Sequence, residues 1–315
     1  MTDWQWIFSA ISAIALFLYG LSGFSRELLD AGGQRLQDFL QKATANRFAG
    51  AALGALFTAL IQSSSAVTSL AIALVNSGVL GFGASLAVLL GANVGTTATA
   101  LLVSLKLTAL GPIALSLGAL TSALAPVRWK PLGKVLFYFG FVLFALDLIG
   151  AALLPLRESP AIVGLLSQAG TPWIGVLAGI GITALLQSSS VTTGLAVVLV
   201  QQQVLATEAA IYLVVGANIG TTVTGLIASA SMGTLARKTA LINAGFKVVG
   251  AALFAPMLVV FAQTVARLSP TPEMAVAWAH LIFNLVSSVL FLVFLPLYVG
   301  PLERWARPGP PVRSL

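Results

Sequence analysis

The sequence predicts an all-α protein that crosses a membrane many times, built from two related halves of opposite orientation, each carrying a re-entrant helical hairpin. Three observations predict this. Only 8% of the 315 residues are charged and 58% are hydrophobic, against about 25% charged in soluble domains, so most of the surface must face lipid. Several apolar runs exceed the ~18 residues that mark a spanning helix. Residues 54–105 also align without a gap on residues 179–230, with 25 of 52 positions identical, where chance in so apolar a chain gives roughly one in ten.

Taken in order, the apolar runs fall at 4–24, 48–77, 84–105, 107–126, 133–155, 173–203, 207–230, 239–262 and 278–298. No Lys or Arg precedes the first run and no small-residue cleavage site follows it, so it reads as a retained span rather than a signal peptide. The stretch 25–47 sets Arg26, Glu27, Asp30, Arg35, Asp38, Lys42 and Arg47 between apolar residues, and reads as an interfacial helix and linker. As a single helix the run 48–77 would measure about 45 Å, against a hydrocarbon core of ~30 Å, and polar residues sit at its middle. Two half-helices with a polar tip fit better, and the same holds for 173–203. The tail from Pro301 carries Arg304, Arg307 and Arg313 and reads as loose. The divisions that result are 1–126 (span, hairpin 48–77, two spans), 127–262 (span, hairpin 173–203, two spans) and 263–315 (an added span and the tail).

The repeated identities cluster. Gln62-Ser63-Ser64-Ser65 recurs as Gln187-Ser188-Ser189-Ser190, and Gly91-Ala92-Asn93-Val94-Gly95-Thr96-Thr97 as Gly216-Ala217-Asn218-Ile219-Gly220-Thr221-Thr222. Thr58, Thr68 and Thr99 recur as Thr183, Thr193 and Thr224. Shared Leu and Ala would be composition; shared Gln, Ser, Asn and Thr inside apolar runs are not. With both segments re-entrant and the N-terminus outside, the inside loops hold 12 basic residues against 3 outside; with both as full spans the numbers are 11 and 4. The positive-inside rule barely separates these, but the hairpin arrangement keeps Arg128, Lys130 and Lys134 inside. The first hairpin then enters from the cytoplasm and the second from outside. Inverted halves with broken helices meeting at mid-depth are a transporter plan.

Polar backbone and side chains survive in lipid only where protein or a wet cavity surrounds them. Each Gln-Ser-Ser-Ser supplies three hydroxyls and an amide, which can donate to anion oxygens or turn lone pairs to a cation. If the serines open a half-helix, its free N–H groups favour an anion. Gln62, Ser63, Ser64, Ser65, Gln187, Ser188, Ser189 and Ser190 are therefore the candidate oxyanion ligands. In Gly-Ala-Asn-x-Gly-Thr-Thr the glycines would let the helix unwind, and exposed carbonyls with Asn and Thr oxygens would suit sodium. For either motif alone, the competing reading is that Ser, Thr and Gly merely permit close helix packing. Two charges lie within spans, Asp147 and Lys247; ion coupling competes with an interfacial or structural role for the first and with snorkelling for the second. The lone His280 reads as a satisfied packing residue.

Several classes are set aside. The basic residues sit in short loops, which is topology-setting charge and not a nucleic-acid face. There is no cysteine, hence no disulfide or thiolate metal site. No Gly-Lys-Ser/Thr follows the glycine-rich motif, so it is not a nucleotide loop. A membrane enzyme is a weak reading, because no serine has a sequence-evident His base and no metal cluster is present.

At these motifs the chain resembles the type II sodium/phosphate cotransporter family, bacterial members included, over about residues 48–298. Ala279-His280-Leu281-Ile282-Phe283-Asn284 is similar to that family's His-x-x-Phe-Asn element. The resemblance implies sodium-driven symport of inorganic phosphate in an inner membrane, with no cofactor and with sodium the only metal. It implies that both Gln-Ser-Ser-Ser tips line the phosphate site. It further implies that Gln62, Ser65, Thr68, Asn93, Thr96, Thr97, Gln187, Ser190, Thr193, Asn218, Thr221 and Thr222 serve sodium. Asn243-Ala244-Gly245-Phe246-Lys247 departs from the pattern by placing Lys247 where the family often has Asn; a fixed ammonium there could replace one coupled sodium or contact phosphate. A sodium-independent route, exporter or channel, for phosphate or another oxyanion stays open on the same scaffold. So do transport direction and oligomeric state, a homodimer included.

Overall fold

The computed structural model describes residues 3–42, 46–155, 164 and 166–306. Among the described residues the elements are all helical: α1 (Asp3–Lys42), α2 (Arg47–Ile61), α3 (Ser64–Asn76), α4 (Phe82–Gly95), α5 (Thr97–Ser104), α6 (Gly111–Leu124), α7 (Lys130–Leu153), α8 (Pro172–Leu186), α9 (Ser189–Gln201), α10 (Thr207–Gly220), α11 (Thr222–Ser229), α12 (Thr234–Phe254), α13 (Leu258–Leu268) and α14 (Pro272–Ala306). Seven stretches are long and apolar enough to cross a membrane: Phe8–Ala31, Phe82–Ser104, Leu107–Leu124, Val127–Leu153, Thr207–Ser229, Thr234–Leu268 and Pro272–Ala306. They fall on the seven runs expected to span, and the protein is a multi-pass membrane protein.

The two remaining runs are pairs of short helices. α2 and α8 hold 15 residues each, α3 and α9 hold 13. At 1.5 Å per residue each is about 20–22 Å long, too short for a ~30 Å core. Thr183 Oγ1 donates to Thr192 Oγ1 at 2.8 Å, although nine residues of continuous helix would separate them by about 13 Å; the chain doubles back between α8 and α9. In the first half α2 and α3 touch each other and both lie against α4. The repeat is carried into the elements: α2 to α5 and α8 to α11 have the same lengths, 15, 13, 14 and 8 residues.

Glycine sets how closely these helices approach. A Cβ on Gly91 would run into the carbonyl of Ala51, and one on Gly216 into the carbonyl of Val176. α4 thus lies backbone to backbone on α2, and α10 on α8, the small-residue contact by which helices associate in lipid. This overturns the expectation that the motif glycines unwind the helix. α4 and α5 are separated by Thr96 alone, which keeps right-handed helical angles and donates its N–H to Ala92 O at 3.1 Å; Thr221 repeats this between α10 and α11.

The halves are interleaved. α9 packs on α5 of the other half, and α3 packs on α11. Gln201 Nε2 donates to Val103 O at 3.1 Å, and the Gly233 N–H to Asn76 Oδ1 at 2.8 Å. α14 lies across both α4 and α10, fixed to the former by Ser288 Oγ donating to Leu90 O at 2.8 Å.

Three further expectations change. The charged stretch after residue 24 is not a separate interfacial helix; α1 continues unbroken to Lys42, about 60 Å in all, and residues 43–45 of the expected linker lie outside the described residues. The span expected at 239–262 is interrupted by a 3-10 turn at Ala255–Met257, where Pro256 removes a helical N–H. α14 runs on to Ala306, with Pro296 and Pro301 inside it, so the first part of the expected loose tail is helix; the rest lies outside the described residues.

Candidate functional site

Each hairpin turns on its glutamine. Gln62 closes α2 at φ 57, ψ 26 and Gln187 closes α8 at φ 54, ψ 23, both left-handed. Glycine is the usual residue at such a helix end; a side chain there costs roughly 1–2 kcal/mol. The next residue turns extended and caps the following helix: Ser63 Oγ accepts from Ala66 N at 3.2 Å and Ser188 Oγ from Val191 N at 3.4 Å. An N-cap hydroxyl that accepts still has its own proton to donate. The free N–H groups at the starts of α3 and α9 sit at the same tips.

Both tips open into one cavity of about 430 Å³, lined by Ser63 and Ser65 from the first half and by Gln187 and Ser188 from the second. At ~30 Å³ per water this is room for a hydrated tetrahedral anion. Leu186 and Val191 flank the second tip, and the rest of the wall is α1: Leu18, Leu21, Ser22, Ser25, Arg26, Leu29 and Asp30. Ser25 Oγ donates to Ile61 O at 2.7 Å and so ties α1 to the end of α2. Arg26 and Asp30 are exposed to this space. Sequence reasoning missed α1 here, since its charges read equally well as topology-setting. The alternation Ser22, Ser25, Arg26, Leu29, at helical spacing on the face next to the tips, was the available signal.

The other four motif residues lie behind the cavity wall. Gln62, Ser64, Ser189 and Ser190 are all buried. Thr99 Oγ1 donates to Gln62 Oε1 at 2.8 Å and lies 3.2 Å from Ser190 Oγ, which joins the halves. Thr96 Oγ1 lies 3.3 Å from Ser64 Oγ. The structure therefore joins Gln62, Thr99 and Ser190 in one group of neutral oxygens across the halves, and pairs Ser64 with Thr96 in another. Thr99 was visible as a repeated residue but not assigned a role. In the second half Thr224 Oγ1 donates to Gln187 O at 3.2 Å.

The expected sodium residues do not form one group. Thr97 and Thr221 turn their hydroxyls to helix carbonyls, Val94 O at 2.7 Å and Ala217 O at 2.8 Å. Thr68 is buried with its methyl against Gly225. Thr193 is buried with Oγ1 unpartnered among the described residues, and Thr222 is half-buried. Asn93 and Asn218 line a second, much smaller chamber of about 10 Å³ with Lys247, Asn284, Ser287 and Ser288. His280 lies one turn before Asn284 and is 1% exposed, with neither ring nitrogen partnered among the described residues; it is not the satisfied packing residue expected. Asp147 is exposed on α7 and lines neither chamber. Among the described residues no three His, Asp or Glu side chains cluster.

YqeW, an uncharacterized protein of Bacillus subtilis, is 29% identical over 287 residues, 91% of this chain and 94% of its own length. YjbB of Escherichia coli K12, provisionally named an inorganic phosphate export protein, is 28% identical over 299 residues; these cover 94% of this chain, which spans only 54% of that relative. Sodium-dependent phosphate transport protein 2A of Oryctolagus cuniculus is 34% identical over 97 residues, 30% of this chain and 15% of its own. No solved structure matches the chain. The profile described as Na+/Pi-cotransporter matches residues 16–151 and 160–285, and with most of its length so matched the chain belongs to the Na+/Pi-cotransporter family, a family of transporters and not of enzymes.

Proposed function

We propose that the protein carries inorganic phosphate across the cell's inner membrane in symport with sodium, binding phosphate in the cavity between the two hairpin tips. The observation that carries this reading is the shared cavity, with Ser63, Ser65, Gln187 and Ser188 contributed equally by the two halves. Hydroxyl, amide and helix-start N–H donors hold an oxyanion largely through neutral groups, so release stays easy. Arg26, at the same wall, adds one guanidinium suited to phosphate, set beside the Asp30 carboxylate. The neutral oxygens of Gln62, Thr99 and Ser190, bonded across the halves just behind the tips, would take a sodium ion whose occupancy orders the phosphate site. The halves act as inverted repeats, 1–126 and 127–262, rocking about this centre.

A second reading has a specific observation behind it. The relative that shares 94% of this chain is named for phosphate export, whereas the sodium-dependent relative shares 30%. Outward or sodium-independent phosphate movement is therefore the alternative. Radiolabelled phosphate uptake into proteoliposomes separates the two. Uptake that rises at least tenfold under an inward sodium gradient, and collapses when choline replaces sodium, is expected. Uptake indifferent to sodium would replace the symport reading with the second.

A further inference from the structure

The small chamber holding Lys247 is separate from the tip cavity, and its lining has a symmetry of its own. Asn93 and Asn218 are the same residue of the two repeats, and both line the chamber with Lys247; the walls come from α4, α10, α12 and α14. Lys247 is 9% exposed. Among the described residues no carboxylate pairs with it; the ion pairs present join Lys106 to Glu273 and Lys134 to Glu27. A lysine within the membrane costs about 2.5–3.5 kcal/mol on insertion scales, and this one is buried in the bundle against the chamber.

The acceptors around it are neutral oxygens. Asn218 Nδ2 donates to Val214 O at 3.1 Å and Asn284 Nδ2 to His280 O at 2.9 Å, so each has its amide oxygen left as the end it can offer. Ser287 Oγ, on the chamber wall, is buried and has no hydrogen-bond partner among the described residues. Side-chain oxygens gathered around one small space are what a compact cation takes as ligands. Sodium and a lysine ammonium are both compact monovalent cations that seek oxygen ligands. The chamber's ≈10 Å³ leaves about one water's space beside the ammonium, not a second hydrated ion.

We propose that this chamber is a cation site whose occupant is the protein's own Lys247 ammonium, which shares it with Asn93 and Asn218, so that a sodium ion is excluded while the lysine is present. The consequence, which rests on the symport reading, is a cycle that moves one sodium fewer per phosphate than the oxygen sets of the fold would otherwise hold. Lys247 does not line the tip cavity, so its charge does not serve as a phosphate ligand.

Sodium binding to the purified protein, counted with radioactive sodium and no phosphate, tests this without assuming transport. Lys247→Ala empties the chamber of its cation and is expected to bind one more sodium per chain than the wild type. Lys247→Asn gives the same reading if the alanine variant does not fold. The double variant Lys247→Ala/Asn93→Ala is expected to lose the gain. Equal sodium in wild type and both single variants would overturn the proposal, as would a gain that survives removal of Asn93. If wild-type transport proved indifferent to sodium, the symport reading would fail while the extra ion in Lys247→Ala could still be counted.

Discussion

A glutamine held left-handed at each tip is the residue-scale feature that most constrains function. Glycine would fit the backbone of Gln62 and Gln187 better, so what those positions retain is a side chain. Gln187 faces the cavity, and its carbonyl, which accepts from Thr224, survives any substitution. Gln187→Gly is therefore expected to leave the melting temperature unchanged or raise stability by about 1 kcal/mol, while phosphate uptake falls at least tenfold, the equivalent of about 1.4 kcal/mol of binding. Thermal unfolding in detergent beside proteoliposome uptake checks both halves of that statement. A destabilised protein, or normal uptake, would contradict it. The eight motif residues were legible in the sequence as a set, because Gln and Ser have no other reason to recur inside apolar runs. Which four reach the cavity was not legible. That depends on the rotation imposed by the left-handed turn, and periodicity carries no record of a single residue's φ.

For the elements, the glycines of Gly-Ala-Asn-x-Gly-Thr-Thr matter through contact, not flexibility. Gly91 and Gly216 meet backbone on α2 and α8, whereas a Cβ on Gly245 in α12 would meet nothing within 4 Å. Gly91→Ala and Gly216→Ala are expected to destabilise by about 3 kcal/mol or more, since the obstruction is backbone that cannot swing aside. Gly245→Ala is expected to stabilise by up to about 1 kcal/mol through helix propensity. Melting temperatures and the yield of monodisperse protein distinguish these outcomes. The spans and both hairpins were readable from run length against bilayer thickness. The Pro256 interruption and the unbroken α1 were not, because length alone cannot say whether a charged stretch ends a helix or merely leaves the lipid.

Across the whole molecule, the halves are not neighbours but partners in one centre. Thr99 and Ser190 come from different halves and their hydroxyls lie 3.2 Å apart. The chain has no cysteine of its own, so Thr99→Cys/Ser190→Cys is expected to form a disulfide under mild oxidation. That bond should arrest transport and be reversed by reductant, with each single variant unaffected by oxidant. Failure to cross-link would deny the interleaving. The similarity of the halves was plain from the alignment of 54–105 with 179–230. Their exchange of packing partners was not, since a repeat states what resembles what and is silent about what touches what.

That exchange bears on how the molecule comes into being. Part of the seat of α3 is α11, and Ser64 precedes Thr222 by 158 residues. At ~5–20 residues per second of synthesis, α3 waits roughly 8–30 s for that neighbour. During that interval Gln62 and Ser64 gain Thr99 and Thr96 of their own half as partners, while the face of α3 that meets α11 has only lipid, water or a helper protein against it. The contacts between the halves therefore close last, and a chain stalled before residue 222 leaves that one face uncovered.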